Sequence, residues 1–534
     1  MTRWGMVVDL GRCVGCQTCT IACKMENGLP PGTLWRTVVD VEGGEYPDVN
    51  RAFVPLTCMH CADPPCYDAC PTTATRVRAD GIVWIDNALC IGCGSCVVAC
   101  PYRARHLIPK ERYYFGAATP PELATYDRSR VGICTKCHFC SHKFDEAPAA
   151  AVPGRDPAYT PACASSCIAN AIVFGDLDDP ADAASRLAAE RGPGATMLEH
   201  LGTRPSVVYL NVPRIERQPP TLQTSWHGLA VSNFFFGTAG TGLYLLSTLL
   251  SPSGVRQAPL LDWSRSAPMW TAPAEGWPAL SQWAGLFGPL LVAIGLLSVA
   301  AEAGRPLRGF NVLRNLRRSW MARESAFAML FMLLALGEVS LWPHPALKWT
   351  ATVAGLGVTL SQGLILSKAK GVPAWNVRIM PLLFVSSGAL AGAGILLLFA
   401  SATGSSAGKL WLVPLGLGLC LADWAVWHLY LATPPKTATF SDAVAVLRRP
   451  AYSWSIVGLG HGVPALLLAL AWGGAGDWAL LLAGTAILAG ALMAKFALVR
   501  KAGFLVDLFD RFGETGQRRI ARPAGTIPSG VKAA

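Results

Sequence analysis

The stretch that decides the fold of the first part of the chain is Cys13-Val-Gly-Cys16-Gln-Thr-Cys19-Thr-Ile-Ala-Cys23. It has three cysteines at every third position and a fourth after a three-residue gap. Two further groups of four follow, and the later one repeats this spacing. Seventeen of the eighteen cysteines lie between Cys13 and Cys167, so the chemistry they carry belongs to the first part of the chain. The two further groups are Cys58, Cys61, Cys66 and Cys70, and Cys90, Cys93, Cys96 and Cys100.

This spacing predicts iron-sulfur clusters. Three closely spaced thiolates reach three corners of one 4Fe-4S cube, and the fourth cysteine of the run reaches the neighbouring cube. The second and third groups should share two cubes, because only a hairpin-like spacer, Asp80-Gly-Ile-Val-Trp-Ile-Asp86, separates them. The expected ligand sets are Cys58, Cys61, Cys66 and Cys100, and Cys70, Cys90, Cys93 and Cys96. The first group then lacks a partner, and five cysteines compete for four places: Cys134, Cys137, Cys140, Cys163 and Cys167.

Zinc sites and disulfides also use clustered cysteines. One tetrahedral zinc ion takes four ligands, commonly as paired cysteines, whereas Cys90, Cys93 and Cys96 form a triplet. A disulfide framework is typical of secreted chains. Residues 1–15 contain no basic stretch followed by an apolar stretch and a cleavage site, so no secretory signal peptide is expected. Both alternatives are therefore disfavoured, and all four clusters are expected to be 4Fe-4S.

The end of this cysteine-rich part resembles a known family. The segments Lys136-Cys137-His-Phe-Cys140-Ser-His-Lys143, Pro161-Ala-Cys163-Ala-Ser-Ser-Cys167 and Gly202-Thr-Arg-Pro-Ser-Val-Val-Tyr209 carry the resemblance, which covers nearly all of residues 1–210. They are similar to the four-cluster iron-sulfur subunits of molybdopterin oxidoreductases of the dimethyl sulfoxide reductase, polysulfide reductase and formate dehydrogenase type. Lys143 stands where arginine is usual, and no proline follows Cys167.

The resemblance implies the two remaining ligand sets and the order of the relay. Cys134 is left over, and the two cubes formed with the first group would lie at opposite ends of the relay. The implied sets are Cys13, Cys16, Cys19 and Cys167, and Cys23, Cys137, Cys140 and Cys163.

Long apolar stretches begin only after Trp226. Charged residues make up 15% of the chain, apolar residues 52%, and the mean hydropathy is +0.36, a balance typical of a partly membrane-embedded protein. Eight stretches can each form a helix of the roughly 20 residues that a bilayer requires. They lie near residues 227–250, 279–301, 325–343, 349–367, 379–401, 410–431, 453–473 and 478–499.

The sequence thus predicts a two-part chain. Residues 1–220 should form an α+β double bacterial-ferredoxin-like domain with four clusters. Residues 221–505 should form an all-α membrane bundle of about eight transmembrane helices that contains a quinone site. Residues 506–534 should be a cytoplasmic tail.

Loop charge predicts the orientation. The loops after the second, fourth, sixth and eighth stretches carry nineteen Lys or Arg residues, and the other loops carry four. The basic side is expected to be cytoplasmic. Because an even number of crossings returns the chain to its starting side, the cluster domain should face the cytoplasm of a bacterial-type membrane. The same orientation explains the net charge of +11 without nucleic acid as a partner.

Ionisable side chains inside apolar spans are costly unless they are paired or functional. A quinone needs hydrogen-bond donors and a source or sink of protons, which a histidine near a carboxylate supplies. His227, with Asn233 on the next turns and a route past Glu302, is the first candidate. Asp423 and His461 should lie at similar depth, roughly 12 Å into the membrane, and could pair. The full set of ionisable candidates is His227, Glu302, Glu338, Asp423, His428, His461 and Lys495.

Haem b is disfavoured. His428 and His461 are the plausible axial ligands, but the same count puts them about one helical turn apart in depth. Purified protein should therefore lack a sharp reduced α band.

The loop segments Glu302-Ala-Gly-Arg-Pro-Leu-Arg308 and Ser319-Trp-Met-Ala-Arg-Glu324 resemble the membrane anchors of dimethyl sulfoxide reductase and polysulfide reductase complexes. Those anchors are separate polypeptides in many systems, whereas here anchor and cluster subunit are fused. The resemblance implies an electron relay between a large molybdenum or tungsten bis-guanine-dinucleotide subunit and a menaquinone or ubiquinone pool, with substrate oxidation and quinone reduction favoured.

Three alternatives remain for the sequence as a whole. The relay could run from quinol to a reductase. The anchor could translocate protons through Glu338, Asp423 and Lys495. The chain could also act alone as a ferredoxin-quinone oxidoreductase.

Overall fold

The computed structural model describes residues 2–43, 45–190, 194–213, 215–250, 277–341, 344–403, 406–435 and 437–512. The expected fold class is confirmed: a ferredoxin-like α+β part precedes an all-α part with eight helices long and apolar enough to cross a membrane. The predicted tail beyond residue 512 and the predicted helix end at residues 342–343 lie outside the described residues.

The first part consists of short elements, because turns at the cysteine motifs interrupt the chain repeatedly. Its strands are β1 (Trp4–Asp9), β2 (Thr37–Gly43), β3 (Asn50–Leu56), β4 (Thr75–Val77), β5 (Val83–Ile85), β6 (His106–Leu107), β7 (Cys134–Thr135), β8 (Ile172–Asp176) and β9 (Val207–Leu210). Its helices are α1 (Thr18–Glu26), α2 (Pro65–Ala69), α3 (Ser95–Ala99), α4 (Pro120–Thr125), α5 (Ser141–Asp145), α6 (Ala162–Ser165) and α7 (Ala183–Glu190).

Strand β1 lies at the centre of the main sheet. It pairs antiparallel with β8 and parallel with β9. Met6, Val7 and Val8 are fully buried. A strand that is buried on both faces has consecutive apolar residues rather than alternating ones, which explains the apolar sequence of β1. Strands β2–β3, β4–β5 and β6–β7 form separate two-stranded sheets beside the cysteine loops.

The second part is a helical bundle whose first four membrane helices pack on one another, with the fifth joining them to the last three. The seventh span contains a π-helical stretch, Trp454–Gly462, and the eighth continues as a π-helix to Lys501. The helices are α8 (Gly228–Leu250), α9 (Trp277–Glu302), α10 (Trp320–Ser340), α11 (Pro345–Ser367), α12 (Met380–Thr403), α13 (Ser406–Leu431), α14 (Ala438–Leu447), α15 (Pro450–Ser453), α16 (Val463–Trp472) and α17 (Asp477–Phe496).

The segment after the last membrane helix returns to the cluster domain. A short strand, β11 (Phe504–Leu505), pairs with β10 (Thr221–Leu222) at the entrance to the membrane part. Beyond it, Val506, Phe509 and Phe512 are buried in the same core as β1 and several cluster cysteines. Residues 506–512 are therefore packed against the cluster domain.

Truncation after Gly503 should loosen the cluster domain. Removing a buried Phe costs about 3–5 kcal/mol, and this truncation removes two together with Val506 and Leu508. We expect thermal bleaching of the iron-sulfur absorbance at a clearly lower temperature. Truncation after Phe512 keeps these contacts and is the control. Equal bleaching temperatures in both truncated proteins would contradict the packing described here.

Candidate functional site: four cysteine sets and the membrane junction

The sixteen predicted ligand cysteines fall into four spatial sets. Each set combines residues from two of the sequence groups, and the cysteines within a set are near neighbours. That each set ligates one cluster stays a prediction. We call them sets A to D. Set A is Cys13, Cys16, Cys19 and Cys167; set B is Cys23, Cys137, Cys140 and Cys163; set C is Cys58, Cys61, Cys66 and Cys100; set D is Cys70, Cys90, Cys93 and Cys96.

The loops of the sets require unusual backbone conformations. In set D, Gly92 and Gly94 have φ of 70° and 74°, in the left-handed region that glycine adopts without strain. A side chain at Gly92 would also collide with Gly132 and Gly304, the latter in the loop after α9. Glycine here lets the set D loop turn tightly and approach the membrane part.

Buried cations accompany the sets. Arg36 is 1% exposed and donates from Nη2 to Sγ of Cys163 at 3.3 Å, while its Nε and Nη1 have no hydrogen-bond partner in the described residues. Arg105 is 3% exposed and donates from Nη2 to Sγ of Cys66 at 2.9 Å. A buried arginine is almost always paired with negative charge. Both guanidinium groups fit anionic centres held by these cysteines.

The thiols themselves suit metal ligation rather than an empty pocket. Burial raises the pKa of Cys66 and of Cys140 to about 12, so without metal the thiols stay protonated at neutral pH. Metal binding replaces those protons and removes the cost of burying charge. Sets of four cysteine thiols fit 4Fe-4S cubes, which are held by four thiolates.

The sets form one file. Cys19 of set A neighbours Cys163 of set B, and Cys137 of set B neighbours Cys58 of set C. Cys66 of set C in turn neighbours set D. The expectation that sets A and B lie at opposite ends is wrong. Both sets take their cysteines from the same two sequence groups, so the two sets lie next to each other.

Set D lies against the membrane part. The main-chain carbonyls of three of its cysteines each accept a hydrogen bond from a side chain beyond residue 220. Ser95, between Cys93 and Cys96, also contacts Met321. Set D is therefore the membrane-proximal end of the file. The three bonds are Trp226 Nε1 to Cys93 at 3.1 Å, Arg308 Nη1 to Cys90 at 3.3 Å and Asn315 Nδ2 to Cys70 at 2.8 Å.

Set A lies at the other end, at the surface. Cys16 is exposed, unlike the largely buried cysteines of sets B and C. Apolar side chains in the segments that carry Cys16, Cys23 and Cys167 are exposed as well. Contiguous exposed apolar surface on a soluble domain commonly marks an interaction site. These side chains are Val14 at 59%, Ile21 at 57%, Met25 at 72% and Ile168 at 70% exposed.

His227 and Glu302 meet next to set D. Oε1 of Glu302 accepts a hydrogen bond from the His227 backbone N–H at 2.6 Å, and Nδ1 of His227 lies 2.8 Å from Nη1 of Arg500. Oε2 of Glu302 is buried and has no hydrogen-bond partner in the described residues. His227 directly follows Trp226, the donor to Cys93. A cavity of about 320 Å³ is lined by Trp226 and Ile365 but not by His227 or Glu302.

Asn233 does not join this pair. It lies deeper in the bundle and donates from Nδ2 to Oε1 of Glu324 at 2.9 Å, an oxygen that also accepts from Gln362 at 2.9 Å. Glu324 is 3% exposed. Sequence reasoning missed it as a buried acid because the third span was expected to begin at residue 325, whereas α10 begins at Trp320.

Asp423 and His461 form the expected pair. Nε2 of His461 lies 2.9 Å from Oδ2 of Asp423, and both side chains are buried. Ser386 donates to Oδ1 of Asp423, and Lys495 donates to Ser387 close by. The cavity beside them has about 20 Å³, which is room for about one water molecule. His428, the other candidate haem ligand, is exposed and contacts the Trp424 carbonyl.

Comparison with known proteins agrees with this geometry. Residues 49–113, which hold all of sets C and D, match the family model of a 4Fe-4S dicluster domain. The chain is 38% identical over 225 residues to a selenate reductase subunit of Mesobacillus selenatarsenatis, covering 39% of this chain and 72% of that protein. The chain belongs to the iron-sulfur subunit family of the molybdopterin oxidoreductases.

Other members of the iron-sulfur subunit family match the same part. The putative dimethyl sulfoxide reductase iron-sulfur subunit of Halobacterium salinarum is 38% identical, over 40% of this chain and 80% of its own length. The iron-sulfur cluster-binding subunit of menaquinone reductase from Nitratidesulfovibrio vulgaris is 34% identical, over 39% of this chain and 89% of its own. In the present chain the family domain is fused to an eight-helix membrane anchor, and it is the electron-transfer rather than the substrate-converting subunit of an oxidoreductase complex.

Cys134 is the odd cysteine, and its replacement tests the ligand assignment. It is 1% exposed, its thiol contacts that of Cys96, and Cys90 lies nearby. We expect Cys134→Ser to retain all four clusters, with at most a changed EPR line shape for the cluster of set D. Loss of one cluster's signal would show that Cys134 is a ligand.

Proposed function

We propose that this chain relays electrons between a separate catalytic subunit and the quinone pool of a bacterial cytoplasmic membrane through four 4Fe-4S clusters. The observation that carries the proposal is the file of sets A to D, exposed at set A and bonded to the membrane anchor at set D. Iron-sulfur cubes accept one electron at a time with potentials tuned by hydrogen bonds and solvent access. A file of them links a two-electron substrate reaction to a two-electron quinone.

The partner is a large subunit with a molybdenum or tungsten bis-guanine-dinucleotide cofactor, docked over the exposed apolar surface at set A. Electrons flow from this partner to quinone. The opposite flow, from quinol to a reductase, is the second candidate, and the names of the selenate and dimethyl sulfoxide reductase relatives favour it. The excess of basic residues on the cluster side of the membrane supports a cytoplasmic position for the cluster domain.

The quinone headgroup binds at His227 and Glu302. One supporting observation is that Oε2 of Glu302 is buried and has no hydrogen-bond partner among the described residues. The other is that His227 directly follows Trp226, the donor to Cys93. One quinone oxygen meets the imidazole, and the carboxyl group exchanges protons as electrons arrive from set D. Haem plays no part in this scheme.

Purification of the complex from native membranes tests the relay. The expected result is co-purification of a large molybdenum or tungsten protein, together with four clusters per copy of this chain by iron and sulfide analysis. A chain that purifies alone, with full quinone reactivity and no such partner, would contradict the proposal and favour a stand-alone ferredoxin-quinone oxidoreductase.

The position of the quinone is tested separately. Glu302→Gln should raise the KM for a soluble quinone analogue and leave the cluster EPR signals unchanged. Ile365→Phe, which narrows the 320 Å³ cavity lined by Trp226 and Ile365, is the matched control and should leave the KM unchanged. A raised KM in the Ile365 variant with an unchanged KM in the Glu302 variant would instead place the quinone in that cavity.

A further inference from the structure

A file of buried polar side chains runs through the first four membrane helices, and the proposed relay leaves most of it unused. Its inner end is Glu324 near the cluster domain, and its outer end is Glu338 on the same helix. The two acids are fourteen residues apart, about 21 Å along α10. That distance is most of the roughly 30 Å hydrocarbon thickness of a bilayer.

The inner end is a three-helix contact. Glu324 of α10 accepts hydrogen bonds from Asn233 of α8 and from Gln362 of α11. Oε1 of Gln362 and the hydroxyl of Ser361 are both buried without a hydrogen-bond partner in the described residues. A side chain at Gly237 would collide with the Gln362 amide, so glycine keeps this space free. Buried polar atoms without protein partners are where ordered water is expected.

The middle consists of two hydroxyl pairs between α8 and α11. The hydroxyl oxygens of Thr241 and Thr359 are 2.6 Å apart, and those of Thr248 and Thr352 are 2.8 Å apart. Thr359 lies one helical turn from Gln362, so the first pair continues from the inner end. Phe331 is fully buried and packs on the Tyr244 ring and beside Gly355, which lies between Thr352 and Thr359 on α11. At Phe331 the row of polar side chains is interrupted, so water molecules must carry protons past this ring.

The outer end lies at the face opposite the cluster domain. Oε2 of Glu338 accepts a hydrogen bond from the Tyr244 hydroxyl at 3.5 Å, and the charge of Lys348 at the start of α11 is within its reach. Oε2 also lies near Gly285 of α9, where glycine lets the helix pack closely against Val339 and Glu338. Both acids are thus buried at 8% exposure or less, each near donors and near small residues.

We propose that this file is a proton path between the quinone site and the membrane face opposite the cluster domain. The proposal rests on the quinone site proposed above. It specifies the membrane face from which protons reach that site. When quinone is reduced, two protons enter past Glu338, pass the threonine pairs and reach Glu324. When quinol is oxidised, the same two protons leave in the reverse direction.

Proteoliposomes with the cluster domain outside test the path. Decylubiquinol is oxidised by external ferricyanide, which cannot cross the bilayer, and pyranine inside reports the pH. The reaction is quinol plus two ferricyanide ions giving quinone, two ferrocyanide ions and two protons. The expected result is that the interior becomes acidic. Glu338→Gln should slow this acidification by about a hundredfold, the lower range for losing one positioned proton carrier.

Matched controls isolate the file. Asp477→Asn removes a carboxylate at the same face but in the second half of the bundle, and Thr485→Val removes an exposed hydroxyl of α17. Both should acidify the interior as wild type does. Thr359→Val, a milder change than losing an acid, should slow acidification with unchanged cluster EPR signals.

Two results would overturn different claims. Normal ferricyanide reduction with all protons released outside would exclude the path and leave the relay intact. Fully loaded clusters without any quinol-dependent ferricyanide reduction would instead exclude the proposed function.

Discussion

Replacement of Cys93 by alanine is expected to abolish electron exchange with quinone and to leave three clusters in place. Cys93 belongs to set D, and its carbonyl receives the Trp226 bond that joins this set to the membrane anchor. Without the cube of set D, the nearest remaining centre is set C, one step farther from His227 and Glu302. Electron tunnelling falls steeply with distance, so the loss should be nearly complete.

The measurement is quinone-dependent reoxidation of dithionite-reduced protein, followed by EPR. The variant should show the signals of the clusters in sets A to C, all of them staying reduced after quinone is added. Cys420→Ala, which removes a buried thiol in the membrane part, is the control and should behave as wild type. Reoxidation of the Cys93 variant at the wild-type rate would place the quinone elsewhere.

Replacement of Arg105 by methionine should lower the reduction potentials of two clusters at once. The guanidinium donates to Cys66 of set C and lies near Cys96 of set D. A positive charge beside a cube favours the added electron, so its removal makes reduction harder. Coulomb's law with an effective dielectric constant of about 20 gives a fall on the order of 100 mV at 6 Å.

Potentiometric EPR titration measures this effect. The clusters of sets A and B should keep their potentials, because Arg36 rather than Arg105 accompanies them. Arg76→Met is the control, since Arg76 is half-exposed and pairs with Asp86 at the surface. Unchanged potentials in the Arg105 variant would mean that the cation serves packing alone.

Which cysteines lie close together could be predicted from the sequence, because spacing limits which thiols can approach one another. That each group binds one cube stays a prediction. The cysteine runs around Cys16 and Cys93 allow few other groupings, and the family resemblance supplied the partners of the first group. The contact between Asp423 and His461 was also predictable, because helical rise converts residue number into depth. Both are consequences of regular local geometry.

Other features depend on tertiary packing and had no sequence signal. Arg36 and Arg105 lie in loops, and nothing in the sequence around them indicates burial beside thiolates. Glu324 stood one residue outside the predicted span. Phe509 and Phe512 lie in a short segment after the last helix, where a packed segment and a free tail look alike. Their roles follow from what the fold places around them.

The order of the clusters is the central claim, and one measurement tests it most directly. In a Cys61→Ser variant the cube of set C is removed, which divides the file between sets B and D. After reduction with dithionite and addition of quinone, EPR should show rapid reoxidation of the cluster of set D while those of sets A and B stay reduced. Reoxidation of all three remaining clusters at one rate would contradict a single file that ends at the membrane.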